Sequence, residues 1–229
     1  MGAAKPTAAA ALLALAALFA PLAHGETTQK DGVRVTVAGS LSPKRLPREG
    51  SAPVAVSVAG EISPLGEGSL PQLEAMQIAI NSAGRLDFKG IPHCRIGHIN
   101  PSNNREAIEA CGDSLIGEGS FHANVLLPEQ SPFPSAGKLL AFNGTIGRRP
   151  AIFAHIYGTL LEAAFPRATG DWGYITGISL RLNKRLVRAG CPAPRGFSKV
   201  SFPLARTSFD FAGGLSLDAT LNRSCEAKG

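Results

Sequence analysis

Residues 91–116 read IPHCRIGHINPSNNREAIEACGDSLI. They hold the one segment after the N-terminus whose spacing predicts an α-helix. Asn100-Pro101-Ser102 is typical of a helix start, where the missing N–H of proline is no loss and a polar side chain can accept a free backbone N–H. Apolar residues then recur at steps of three and four, which places them on one helical face: Ala107, Ile108, Cys111 and Leu115. A helix this short needs tertiary support to persist.

Four cysteines give the chain an even count, which in an exported protein predicts two disulfides. Three pairings are possible, and the most local one joins Cys94 to Cys111 and Cys191 to Cys225. The first bridge would tie the inner face of the helix to the preceding loop. The second would hold the C-terminus, which otherwise frays. In the chain-entropy model, closing loops of these sizes stabilises the fold by about 3 and about 4 kcal/mol, respectively.

The same stretch holds the best metal-like cluster of the chain, formed by His93, Cys94, His98 and Cys111. A zinc site would need thiolates, and its cysteines are usually paired at a spacing of two to four residues. That spacing is absent. We therefore interpret the cluster as a disulfide accompanied by two loop histidines, and we predict neither a metal nor another cofactor.

Segments of alternating apolar and polar residues recur along the rest of the chain, for example at residues 33–37, 151–160 and 174–182. Together they predict about nine strands with turns at fairly regular spacing, which is typical of a mainly β protein. Gly213-Gly214 suits a tight hairpin turn, whereas Gly60 and Gly117-Glu118-Gly119 are expected to interrupt strands. The predicted fold is an antiparallel β-sandwich or barrel-like sheet with one short disulfide-tethered α-helix.

The N-terminal residues have the pattern of a secretory signal peptide. Lys5 precedes an apolar run over residues 8–20, and Ala23-His24-Gly25 offers small residues for cleavage near Gly25. We accordingly predict three parts: a signal peptide at 1–25, a loose segment with one possible strand at 26–50, and a single β-rich domain at 51–229. No later stretch is long and apolar enough to be a transmembrane segment, so the protein is expected to be secreted.

The chain is basic, with 23 Lys and Arg against 17 Asp and Glu and a formal net charge of +6. Such a charge favours association with anionic polymers, among them those of a cell wall. The basic residues are scattered in small groups, and no RNA-recognition or helix-turn-helix motif accompanies them. We therefore predict no specific nucleic-acid partner.

Candidate catalytic residues are few. Glu118 and Glu129 could be the paired carboxylates of a glycosidase. His122 or His155 could act as a general base for a serine nucleophile at Ser120, Ser131 or Ser135. No G-x-S-x-G elbow holds such a serine. More commonly, such acids are solvated at the surface and such histidines are hydrogen-bonded within strands.

A polar and aromatic cluster, Asp171-Trp172-Gly173-Tyr174, is the best candidate for ligand contact. Trp172 is the only tryptophan, and the neighbouring glycines would let its ring project from a loop and stack on a sugar. The alternative is structural: Trp172 covers the core and Asp171 forms a turn.

Several phrases give the chain a resemblance to a family of secreted proteins of high-GC soil bacteria to which no activity is assigned. They are residues 109–111 (EAC), 117–119 (GEG), 124–144 (NVLLPEQSPFPSAGKLLAFNG), 170–179 (GDWGYITGIS) and 190–197 (GCPAPRGF). The resemblance covers most of the chain after residue 51 and implies export and a β-rich fold. It implies no catalytic residues. The chain is shorter than these relatives at residues 160–169, where a strand pair could be missing.

Two functions remain open from the sequence. The first is a secreted, non-catalytic β-sandwich that binds an extracellular or cell-wall polymer, such as a polysaccharide, through Trp172, Asp171 and Tyr174. The alternative is a small secreted hydrolase that uses Glu118, His122 or Glu129. An enzyme would need those groups to meet in one concave pocket.

Overall fold

The computed structural model describes residues 25–99, 103–126, 129–157 and 173–228. The described part of the chain is mainly β, with 63% of its residues in strands and 8% helical, which confirms the predicted fold class. The predicted signal peptide at 1–25 lies outside the described residues except for Gly25, as does the predicted helix start at Asn100-Pro101-Ser102. No helix of the described segments is both long and apolar enough to cross a bilayer.

Fourteen strands and two α-helices are described. In chain order the strands are β1 (Glu26–Lys30), β2 (Val33–Ser42), β3 (Arg45–Pro47), β4 (Ala52–Pro53), β5 (Ala55–Pro64), β6 (Leu73–Ile80), β7 (Gly84–Leu86), β8 (Leu115–Val125), β9 (Phe133–Ile146), β10 (Arg149–Tyr157), β11 (Gly173–Leu182), β12 (Val187–Ala189), β13 (Lys199–Phe211) and β14 (Leu215–Lys228). The helices are α1 (Ile96–Ile99) and α2 (Asn104–Cys111), and a 3₁₀ turn follows at Gly112–Ser114.

Three sheets build the described fold. A seven-stranded sheet has the order β1-β2-β5-β11-β8-β9-β10 and curls into a half-barrel. A four-stranded sheet, β3-β14-β13-β6, packs against it, and a small sheet, β4-β12-β7, adds to one end. Neighbouring strands are antiparallel except for β3 and β14. This arrangement leaves β6 at a free edge of the four-stranded sheet.

The core lies between the facing sheets and has two main clusters, because alternate residues of each strand point inward. One cluster is centred on Leu46, Val54, Ile116 and Leu186. The other joins Val33 and Val35 of β2 to Phe209 and Phe211 of β13 and to neighbouring side chains. The inward residues of β2 and β13 are almost fully buried, as expected for a β-sandwich.

The helical segment packs on the outer face of the half-barrel. Asn103 caps α2 by accepting a hydrogen bond from the backbone N–H of Glu106 (3.0 Å). Ala107 and Cys111 are buried against Leu140, Phe142 and Phe153 of the sheet. The Cys94–Cys111 disulfide ties this layer to the preceding loop.

The predicted helical face is only partly correct. Ile108 is 39% exposed, and Leu115 begins β8. The reason is the length of the helix: α2 ends at Cys111, and the 3₁₀ turn changes the direction of the chain before Leu115.

The second disulfide joins Cys191 to Cys225 near the end of β14. Both predicted pairings are therefore confirmed. This bridge links the last strand to the loop after β12, so the C-terminal strand is held by a covalent bond as well as by its ladder with β13.

Two expectations about strand continuity were wrong. Residues 26–50 hold three strands, β1, β2 and β3, where one was expected. Gly60 and the residues Gly117 and Gly119 lie inside β5 and β8, where interruptions were expected. A Cβ built at Gly119 would lie 1.8 Å from the carbonyl oxygen of Ser179. That glycine therefore permits a close approach between β8 and β11 and does not end the strand.

Candidate functional site

The candidate catalytic residues do not converge. Glu118 and His122 share the outer face of β8 but lie four residues apart, about 13 Å along an extended strand. The Glu118 carboxylate is half-exposed and pairs with Lys138 (Oε2 to Nζ, 2.8 Å). Glu129 lies exposed in a turn with a φ of 64°. No described hydrogen bond joins any two of these three residues.

His155 lies in the same cross-strand row as Glu118, with Leu140 between them. The two side chains are thus separated by two strand spacings, about 10 Å. The imidazole is buried beneath the helical segment and forms a hydrogen bond with the backbone of Ile99. Burial lowers the pKa of His155 below 6.5, and Nε2 has no hydrogen-bond partner among the described atoms.

The candidate serines form no described hydrogen bond with a base, although Ser120 and His122 lie on the same face of β8 and line one groove. The hydroxyl of Ser120 lies 2.8 Å from that of Ser179 on β11. Ser135 is buried, and its hydroxyl has no partner in the described part of the chain, whereas Ser131 is exposed. No hydrogen bond joins any of these three candidate serines to a histidine in the described segments, so none forms the nucleophile–base pair that covalent catalysis needs.

The polar and aromatic cluster is described only in part, since Asp171 and Trp172 lie outside the described residues. Tyr174 lies on β11, where its hydroxyl accepts a hydrogen bond from Nδ2 of Asn124 (3.1 Å). Its half-buried ring packs against the core cluster of β2 and β13. The role of Asp171 and Trp172 in ligand contact stays a prediction.

The metal-like cluster forms no metal site in the described structure. Its two sulfurs are joined to each other, and His93 and His98 are exposed. Among the residues described, no group of three or more His, Cys, Asp or Glu side chains could hold an ion.

An apolar cleft lies between the half-barrel and the four-stranded sheet, and sequence analysis did not predict it. Its walls come from β2, β5 and β11 of the half-barrel on one side and from β6, β13 and β14 of the four-stranded sheet on the other. The lining is Val37, Val58, Ala59, Gly60, Ile62, Leu73, Met76, Ile78, Ile175, Gly177, Ile178, Ala205, Thr207, Phe209 and Leu221. None of these residues is charged.

The only hydroxyl among the lining side chains is already used. Thr207 Oγ1 donates a hydrogen bond to the carbonyl oxygen of Ala219 (3.2 Å) within the four-stranded sheet. The cleft therefore offers hydrocarbon to an occupant and no free side-chain hydrogen-bonding group. Apolar surface that is removed from water by a ligand stabilises the complex by about 25 cal/mol per Å².

The cleft lies beside the edge strand β6 and has a volume of about 40 Å³. Met76 is 40% exposed and Ile78 is 45% exposed, although both line the cleft. These side chains form an apolar rim, because β6 has no neighbouring strand on its outer side.

Gly60 widens the cleft at its centre. A Cβ built at this residue would meet only Phe209, with Cε1 and Cζ both at 4.0 Å. The missing side chain thus leaves open space rather than a tight backbone contact. The alternation of β6, LEAMQIAI, indicated a strand with an apolar face, but not that this face lies at a free edge.

Comparison with known proteins adds no information about function: no family model matches the chain, and no curated protein or solved structure is detectably similar to it. The resemblance to secreted proteins of soil bacteria therefore stays a prediction.

Proposed function

We propose that this protein is a secreted, non-catalytic binding protein that holds a single hydrocarbon chain, such as the acyl chain of a lipid, in the cleft between its two larger sheets. The observation that carries the proposal is the cleft itself, with an uncharged and almost wholly apolar lining. Two disulfides are compatible with an extracellular location.

The shape of the cleft supports a linear ligand. Its volume of about 40 Å³ leaves no room for a bulky ring system, and a flexible chain would enter by displacing Met76 and Ile78, which are partly exposed on the edge strand β6. The lining has no free polar side chain to orient a sugar or a peptide, and small-molecule sites for polar ligands usually supply several such groups.

The two functions indicated by the sequence stay less well supported. Hydrolysis would need converging groups, and Glu118, His122 and Glu129 lie apart on the surface. Polymer binding through Trp172, Asp171 and Tyr174 depends on two residues outside the described structure.

The direct test is a titration of the protein from Glu26 onward with a naturally fluorescent polyene fatty acid. We expect saturable binding with an increase in ligand fluorescence, because the cleft would remove the chain from water. Gly60→Leu should reduce the affinity at least about tenfold, since the new side chain would occupy the space that the ligand needs.

Gly66→Leu is the matched control. Gly66 lies in the loop after β5, and a Cβ there would meet nothing within 4 Å. This variant should bind like the wild type. Circular dichroism would show that both variants are folded. Equal affinity of a folded Gly60→Leu protein and the wild type would contradict the proposal, as would the absence of binding by the wild type.

A further inference from the structure

We propose that the loop before β13 docks this protein on the surface of an anionic lipid bilayer, with Phe197 as the inserted side chain. Phe197 is 63% exposed, whereas the other phenylalanines in the described ranges are buried or half-buried. An aromatic ring in water at a loop tip gains free energy when it enters an apolar layer. This inference does not depend on the apolar cleft, whose lining residues are different.

The loop is held in place before any partner arrives. Arg48 Nη1 donates hydrogen bonds to the carbonyl oxygens of Ala193 (2.5 Å) and Pro194 (2.6 Å), and Nη2 donates to that of Phe197 (2.9 Å). The N–H of Phe197 donates to the carbonyl oxygen of Pro194 (3.1 Å), which closes a turn. Gly196 supports this turn with a φ of 89°.

The Cys191–Cys225 disulfide anchors the loop to the sheet at its base. Phe197 therefore loses little conformational freedom when it binds, because the backbone beneath it is already ordered. An exposed apolar side chain on a rigid turn is poorly explained by the packing of the fold, since it contributes little to the core.

Basic residues lie close to Phe197 along the chain and on the strands that follow its loop. Lys199 follows two residues later at the start of β13, and it flanks Glu226 together with Arg45 on the neighbouring strands. Lys199 Nζ lies 3.1 Å from Glu226 Oε1, and Arg45 Nη2 lies 3.5 Å from Glu226 Oε2. Lys199, by its hydrogen bond and its charge, and then Arg45 lower the pKa of Glu226.

We call this surface the basic corner, and define it as Arg45, Arg195, Lys199 and Lys228 with the single carboxylate Glu226. The side chains of Arg45 and Lys199 are 70% and 72% exposed. Arg195 and Lys228 are also exposed. The excess of cations persists after Glu226 is counted, so the corner attracts negative charge.

Apolar and basic groups at one tip together specify the partner. The partner must present negative charge at its surface and an apolar layer directly beneath. The cations then stay hydrated while the ring of Phe197 moves from water into hydrocarbon. A bilayer that contains anionic lipids has this profile, and basic side chains near its surface are each worth about 1 kcal/mol. A hydrated polyanion would satisfy the cations but would leave Phe197 in water.

The test is sedimentation of the protein from Glu26 onward with phosphatidylcholine vesicles, with and without phosphatidylglycerol. We expect binding that requires phosphatidylglycerol. Phe197→Ala should lower the partition coefficient about tenfold. The double variant Arg45→Gln with Lys199→Gln should lower it by about fivefold per cation, and added salt should weaken the wild type more than this variant.

Two matched controls make the assignment specific. Ile146→Ala removes a side chain that is 69% exposed at the β9–β10 hairpin, where Arg148 and Arg149 follow. Arg206→Gln removes an exposed cation from the middle of β13. Both proteins should bind vesicles like the wild type.

Three results would overturn the proposal. The first is equal binding to vesicles with and without phosphatidylglycerol. The second is a loss caused by Ile146→Ala but not by Phe197→Ala. The third is an absence of vesicle binding combined with salt-sensitive retention on an anionic polysaccharide, which would identify the basic corner as a site for a polymer.

Discussion

The imidazole of His155 is a buried polar group between the half-barrel and the helical layer. It forms a hydrogen bond with the backbone of Ile99, and its Nε2 has no partner among the described atoms. Burial costs a neutral imidazole little free energy, whereas an imidazolium here would be a buried charge without a counter-ion. The charge state of this imidazole therefore affects the stability of the fold.

This position predicts a pH-dependent stability. Burial lowers the pKa of His155 in the folded state below its value of 6.5 in the unfolded chain. Between these two values the unfolded chain binds more protons, so the free energy of unfolding falls as the pH falls through 6.5. His155→Gln should make urea unfolding less dependent on pH between neutral and mildly acidic buffer.

The control for that prediction is His122→Gln, which removes an imidazole that lies in solvent on β8. It should leave the pH dependence of the wild type in place. If His155→Gln retained the full pH dependence, another group would be responsible for it.

Among the secondary-structure elements, α2 and β14 are each tied to a loop by a disulfide. Cys94–Cys111 holds α2, which has only eight residues, to the loop before it. Cys191–Cys225 holds the end of β14 and the base of the loop that carries Phe197. Both bridges lie in the core, since all four cysteines are buried.

Removal of each bridge has a predictable cost. Replacement of Cys191 and Cys225 by alanine should lower the free energy of unfolding by about 4 kcal/mol, and replacement of Cys94 and Cys111 by about 3 kcal/mol, because the unfolded chain regains loop entropy. Urea denaturation of the two double variants would measure both values. A smaller loss for the longer loop would contradict this explanation.

At the scale of the whole molecule, the packing of one curled sheet against a smaller one creates the cleft. The four-stranded sheet ends at β6, while the half-barrel continues through β11 to β8, β9 and β10. The mismatch in width leaves Met76 and Ile78 of β6 partly exposed. A ligand in the cleft would therefore contact both sheets at once.

The geometry of the cleft predicts that a bound ligand stabilises the folded protein. A fatty acid at one hundred times its dissociation constant should raise the free energy of unfolding by about 2.7 kcal/mol, because it binds the folded protein alone. Thermal denaturation with and without the fatty acid would show this as a higher Tm for the wild type. The Gly60→Leu protein should show little change, and an equal rise in both proteins would indicate binding elsewhere.

The fold class and the favoured pairing of the cysteines were predictable from the sequence. Alternation of apolar and polar residues depends on the local period of a strand, and the cysteine pairing was the most local of three. The local pattern wrongly predicted strand breaks at Gly60 and Gly119, because the role of each glycine depends on the residues that face it from other strands. Gly60 faces the open cleft, and Gly119 faces the backbone of Ser179.

The proposed ligand site was not predictable from the sequence. The cleft brings together residues as distant in sequence as Val37, Ile78 and Phe209, and each of them alone reads as an ordinary core side chain. The exposure of Phe197 likewise depends on Arg48, which lies far away in the chain but holds the carbonyl groups of its loop. Periodicity reports on neighbours along one strand, whereas these sites arise from contacts between strands that only folding brings together.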